Sequence, residues 1–200
     1  MWYNIDTKKN MPHRFKKSFA TGGSIFMAKK KRTNNLTQIV TAAAVLLGLV
    51  AIAMIFVPTI GVKDSDTTYT GMQLAFGYSV TKSVAGLSAT LTYFEFSFMS
   101  LLTYILALAG TVVALMGLIK NSFASGLFRI IAAACFIISG VFFFMAVNFC
   151  VPGKDISSLV SLVGGNIKNS LILAVGAYIG GITAIIAGVC ELLSVFVFNK

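Results

Sequence analysis

Four long apolar runs divide the chain, at about 36–57 (LTQIVTAAAVLLGLVAIAMIFV), 97–119, 127–149 and 171–198. Each reaches the roughly 20 residues that a helix rising about 1.5 Å per residue needs to cross a hydrocarbon layer about 30 Å thick. No charge falls near the middle of any run. Arg129 and Glu191 lie within a few residues of run ends, where long side chains snorkel toward headgroups. Backbone groups in lipid find no water, so a spanning run must be a helix or a strand of a closed barrel. Barrel strands are only about 10 residues long and alternate apolar with polar. These runs do neither. The pattern predicts an all-α membrane protein, a four-transmembrane-helix bundle.

The connections differ sharply in length. Residues 120–126 form a short inner loop, which makes the second and third helices antiparallel neighbours. Residues 58–96 form a first outer loop far longer than the 2–8 residues typical of a helix–helix connection. After Gly86, Leu87, Ala89, Leu91 and Tyr93 alternate with Ser88, Thr90 and Thr92, the period-2 signature of a half-buried strand. The loop is therefore expected to form a small, β-containing extracytoplasmic cap, with a helix over residues 69–76 as the alternative for that stretch. In the second outer loop, 150–170, residues 156–163 are expected to be a short interfacial helix or an added strand.

Composition strengthens the membrane assignment. Hydrophobic residues make up 57% of the chain and charged residues 11%, against about 25% charged in an ordinary globular protein. So few charges cannot clothe a water-exposed surface. The net charge of +10 is concentrated at one end, because nine of the sixteen Lys and Arg precede Leu36. The run Lys29-Lys30-Lys31-Arg32 abuts the first apolar segment, the pattern of a cytoplasmic flank and not of a nucleic-acid surface, which interleaves basic with aromatic residues on a folded face. With the tail inside, twelve basic residues are cytoplasmic and four (Lys63, Lys82, Lys154, Lys168) lie outside. Both termini are then expected in the cytoplasm, at a cell (plasma) membrane, with the lipid bilayer as partner and no nucleic acid.

Residues 1–35 read as a basic cytoplasmic tail. Met27-Ala28-Lys29 resembles a natural start, and Gly22-Gly23 can be encoded by a ribosome-binding sequence. Residues 1–26 are accordingly expected to be an upstream extension in a bacterial gene, with a genuine unstructured tail as the alternative. Ala51-Ile52-Ala53 also offers a signal-peptidase-like site. The apolar MIFVP that follows, and the length of the run, argue against cleavage there.

The sharpest pattern lies in the fourth run. Gly176, Gly180, Ala184 and Gly188 recur every four residues, with Ala177 and Gly181 in an adjacent row. Small residues at that spacing open a groove into which another helix backbone packs closely. Gly110 and Ala114, or Ala132 to Ala134, are candidate facing surfaces, and the partner is either a helix of the same chain or a second copy. Glu95 and Glu191 are the acidic residues nearest the membrane. They are expected near opposite faces, which rules out an acid/base pair. Glu191 is expected as an interfacial anchor or, with apolar residues continuing beyond it, facing Arg129 as a functional acid.

Catalytic signals are missing. His13 is the single histidine and is lost if Met27 is the start; without it there is no triad, histidine base or zinc site, and there is no phosphate-binding Gly-rich Lys-Ser/Thr loop. Cys135, Cys150 and Cys190 show no metal-ligand spacing and are expected as small apolar packers. No cofactor, metal or enzymatic activity is expected. Intramembrane carboxylates and repeats of the kind pumps use are not visible either.

In layout the chain resembles the claudin-type four-helix proteins, with cytoplasmic ends, a long strand-bearing first outer loop and a shorter second one. Claudins carry a tryptophan and a cysteine pair in the first outer loop. Here the single tryptophan is Trp2 and that loop has no cysteine, so the resemblance implies architecture alone. The expected function is a structural or interaction protein presenting its cap to a membrane-protein partner or to another copy of itself. The alternative is a small channel, transporter component or accessory subunit.

Overall fold

The structure is a computed structural model and describes residues 36–84, 87–119, 123–162 and 167–196. The basic tail 1–35, residues 120–122 and the Gly164-Gly165 pair lie outside that set. In chain order the elements are α1 (Leu36–Phe56, its last turn wound as 3-10), β1 (Pro58–Val62), β2 (Thr68–Thr70), α2 (Gly71–Phe76), β3 (Tyr78–Val84) and β4 (Leu87–Phe94). There follow α3 (Phe98–Ile119), α4 (Phe123–Phe144), α5 (Ala146–Phe149), α6 (Lys154–Leu162), β5 (Leu171–Leu173) and α7 (Val175–Phe196). Helices α1, α3, α4 and α7 are each long and apolar enough to cross a membrane. The chain is thus built as a polytopic membrane protein with a small sheet region gathered at one end.

The interior of the helical part is made of small side chains around two large rings. Ala44, Val45, Ala114, Ala132 and Ala187 surround the fully buried Phe136, and Ala51, Tyr104, Ala107 and Ala184 surround Phe143. Outward positions carry large aliphatics such as Leu46, Ile105, Ile131 and Ile182, all exposed. Polar side chains within the helices close on carbonyls. Thr103, Thr111 and Thr183 donate to the carbonyls of Met99, Ala107 and Ile179 one turn back on their own helices, and Ser139 donates across to Thr103 of α3 at 2.8 Å. Without such partners a hydroxyl in an apolar interior would cost several kcal/mol.

Two of the apolar runs differ from those read in the sequence. The fourth run does not enter the helix at residue 171: Leu171–Leu173 is a strand, pairing antiparallel with β1 through Ile60↔Leu173, Gly61↔Ile172 and Val62↔Leu171. A short apolar stretch reads the same whether it belongs to a buried strand or a helix, and here the free edge of β1 decides. The third run is not one helix over 127–149. It begins at Phe123, breaks at Met145 and ends in the short α5, whose Phe149 carbonyl accepts from Ser97 Oγ at 2.6 Å. In the second loop, residues 154–162 take the helical alternative as α6.

The cap holds a three-stranded sheet in the order β2-β1-β5 and the β3–β4 hairpin. The alternation after Gly86 does form a strand. Its register places Val80 opposite Leu91 and Lys82 opposite Ala89, with Thr81 opposite Thr90 and Ser83 opposite Ser88. Half-burial holds only at its root, however: Phe94 is buried, whereas Thr81 to Ser83 and Ser88 to Thr90 are exposed on both faces. The alternative helix is also present, over Gly71–Phe76. Thr70 and Gln73 form a reciprocal capping box at its start, satisfying two of the donors that a helix N-terminus leaves open. It ends at Gly77, whose φ of +88° suits glycine and whose Cα lies against the Phe94 carbonyl.

The junction of helices and cap sets up a graded test. A Cβ on Gly176 would lie 2.6 Å from the Pro58 carbonyl oxygen, which the β1 backbone cannot yield, whereas one on Gly181 would meet the Phe144 ring edge at 2.8 Å and the Gly140 carbonyl at 3.2 Å. Gly176→Ala should therefore destabilise more than Gly181→Ala, within the roughly 1–3 kcal/mol typical of overpacking. Thermal unfolding of both variants in detergent measures the order.

Candidate functional site

The small-residue rows of α7 lie against α4 and β1. Gly180 faces the Phe143 ring, Gly181 faces Gly140 and Phe144, and Gly188 faces the Ala133 carbonyl and Ile137. Gly176 faces β1, and Ala177 and Ala184 are fully buried. Gly140 and Gly181 face each other where α4 and α7 pack, and Gly140, which ordinary spacing rules did not single out, supplies the α4 half of that crossing. Gly110 packs on Phe136 and Cys135 of α4, and Ala114 and Ala132 share the Phe136 cluster. Gly48 of α1, also unremarked in the sequence, meets Thr111 and Phe136.

Two groupings carry chemistry. The first lies at the end of the helices opposite the cap. Glu191 of α7 is fully buried and Arg129 of α4 is 6% exposed, so neither is the interfacial, snorkelling side chain expected from its nearness to a run end. Glu191 sits about 8 Å inside the end of α7 at 1.5 Å per residue, and the small residues of α4 and α7 bring the helices close enough to enclose it. Arg129 and Glu191 interact electrostatically, and the Thr41 hydroxyl of α1 faces the same carboxylate. Arg129 Nη2 donates to the Gly117 carbonyl of α3 at 3.5 Å, and Ser194 Oγ donates to the Glu191 carbonyl at 2.7 Å. Every one of the four long helices thus contributes to this cluster. It is nonetheless incompletely paired, because Arg129 Nε, Glu191 Oε1 and Thr41 Oγ1 are buried without a hydrogen-bond partner among the described residues. Sequence pattern pointed to Glu191 and Arg129 but not to Thr41 or Ser194, which gain meaning only when α1 and α7 are brought together.

The second grouping is in the cap. Tyr69, Tyr78 and Tyr93 form a triangle with ring centroids 5.8–6.2 Å apart, and Phe94 backs Tyr69 edge-on at 4.7 Å. The three tyrosines, with Val62, Thr67, Thr68, Gln73, Val80 and Lys82, line an open groove of about 460 Å³ between β2 and the hairpin. Burial and the neighbouring Tyr93 and Tyr78 push the Tyr69 phenol above its ordinary pKa, keeping it a protonated donor. The lining offers hydroxyls, an amide and one ammonium and contains no carboxylate. Three of the chain's six tyrosines fall in this one loop, a signal that was open to sequence reading. Glu95 takes no part in the groove. It is half-buried, and its backbone N–H donates to Val151.

Cys150 is buried, its thiol donates to the Val147 carbonyl at 3.2 Å, and burial pushes its pKa up. Cys135 and Cys190 are partly buried, and all three cysteines are free thiols. No protein-family model matches the chain, and a search of curated proteins finds no match.

The buried charge cluster lends itself to a double-mutant cycle. Removing one partner of a buried pair costs about 3–5 kcal/mol because it strands the other, whereas replacing both with apolar residues is often close to neutral. Arg129→Leu and Glu191→Leu should each destabilise strongly, and the double variant should lose much less than their sum. Unfolding free energies of the four proteins measure the coupling.

Proposed function

We propose that this chain is a non-enzymatic membrane protein that presents its cap to a partner protein or to a second copy of itself. The observation that carries this reading is the β3–β4 hairpin. Residues 81–83 and 88–90 of it are exposed, its sheet has two strands among the described residues and so keeps edges unpaired there, and it stands beside the tyrosine-lined groove. Exposed strand edges and tyrosine-rich surfaces are what protein–protein recognition uses. The root of the hairpin is held firmly. Gly153 N–H donates to the Tyr93 carbonyl, Glu95 N–H to Val151, and Thr92 N–H to the Asp155 carboxylate. A rigid base under an exposed tip loses little conformational freedom on binding.

The same proposal places the cap outside a cell membrane and both termini in the cytoplasm, supported by the distribution of twelve basic residues against four. The claudin-type layout belongs to it as a likeness in the order of elements. A second reading, a channel or transporter component, is favoured by one feature, the buried Arg129–Glu191 cluster, since charged groups within spans commonly mark transport pathways.

A photo-reactive residue at Lys82 or Ala89, irradiated in native membranes, should form one recurring adduct, with a specific protein or with another copy. The same probe at Ile131 should not form it. The adduct should weaken on Tyr78→Ala and Tyr93→Ala substitution, and failure to crosslink at every hairpin position would remove the basis of the reading. Purified protein in liposomes should leave them impermeable to ions and small solutes. A flux abolished by Glu191→Gln would establish the second reading instead.

A further inference from the structure

Helix α2 belongs to the first loop, yet it does not stand above the long helices. Gly71, its first residue, lies directly against the Tyr104 phenol of α3. Its side chain Leu74 shares a small pocket with Ser100, Thr103 and Tyr104, residues in the first two turns of α3. The Tyr104 hydroxyl also meets Thr59 Oγ1 at 3.4 Å. The helix therefore sits beside the outermost turns of the long helices. One face, with Gly71, Leu74 and Ala75, is buried against the protein. The other presents Met72, 48% exposed, and Phe76, 56% exposed, one helical turn apart.

Neighbouring residues extend that surface. Phe56 at the end of α1 is 71% exposed, and Phe96 and Phe98 flank the start of α3 at 54% and 57%. Ser97 N–H donates to the Ala75 carbonyl, which brings the Phe96–Phe98 segment against the end of α2. The apolar surface of α2 is thus continuous with the outward faces of α1 and α3, where Leu49, Val50, Met99 and Ile105 are exposed. A patch this apolar is unusual on a water-facing loop.

Three of the backbone groups at the ends of α2 are also paired within the protein. Thr70 and Gln73 satisfy each other's backbone donors at the N-terminus, and the Ala75 carbonyl accepts from Ser97. Groups paired in this way need no water, which suits a helix at the edge of hydrocarbon.

We propose that α2 is a lipid-seated wedge, with Met72 and Phe76 in the acyl-chain region beside the ends of α1 and α3. The proposal rests on the long helices being membrane spans, and it does not depend on what the cap binds. Its partner is the hydrocarbon of the adjoining leaflet. Gln73, which flanks the Met72–Phe76 face on the same helix, lines the tyrosine groove, so the wedge holds the groove mouth at the level of the headgroups.

The test places single tryptophans in a Trp2→Phe background, at Met72, Phe76, Lys82 and, as a reference on α4, Ile131. Each protein is reconstituted in phosphatidylcholine vesicles containing acyl-brominated lipid. Tryptophan at 72 and 76 should be blue-shifted and quenched comparably to that at 131, and tryptophan at 82 should not. Quenching at 131 without quenching at 72 and 76 overturns the wedge and leaves the spans standing; no quenching at 131 removes the spans themselves. Labelling the unsubstituted protein with a phospholipid carrying a diazirine in its acyl chain covers the case of a variant that does not fold. Mass spectrometry should then find label on residues 71–76. Label confined to the long helices, or a crosslink between two copies through Met72 or Phe76, would overturn the proposal.

Discussion

Hydrocarbon supplies neither a hydrogen-bond partner nor a gain from burying apolar surface, and both deprivations shape this molecule. Every polar group carried into the helices needs a partner from the protein. Thr103, Thr111, Thr183 and Ser139 meet that need on carbonyls. Helix association must come from close contact, so alanine and glycine fill the interfaces and the few large rings, Phe136 and Phe143, sit where glycines make room. The two are linked. The same close approach that brings α4 against α7 encloses Arg129 and Glu191, and leaves three of the cluster's polar atoms unpaired among the described residues.

The spans were legible because length and apolarity are local properties. So was the strand after Gly86, where Leu87 to Tyr93 alternates cleanly. What pattern could not show was context. Leu171-Ile172-Leu173 is as apolar as the helix it precedes, and only the unpaired edge of β1, more than a hundred residues earlier, makes it a strand. Glu191 stands five residues from the end of α7, where sequence position alone suggests an interfacial side chain. Its burial depends on how tightly the glycine-rich face of α7 meets α4. Gly140 is ordinary in its own run and becomes important at the crossing with Gly181.

The two chemical groupings sit at opposite ends of the helices and differ in character. One is enclosed, charged and built from one or two residues of each long helix. The other is open, aromatic and built from consecutive elements of a single loop. The first resists alteration of any one helix position, because its members are drawn from all four long helices. The second varies with the composition of one loop. A scaffold of this kind allows the recognition surface to change while the spans keep their packing, as loops carried on rigid frameworks generally do.

Helix α1 runs into β1 through Val57 alone, and β5 runs into α7 through Ala174 alone. The antiparallel rungs between β1 and β5 therefore tie two spans together with almost no slack, reinforced by the Ala174 N–H bond to the Thr59 carbonyl. Sliding one of these spans past the other loads all the rungs together in shear. A pull on β1 or β5 is accordingly transmitted to both spans as a single mechanical unit.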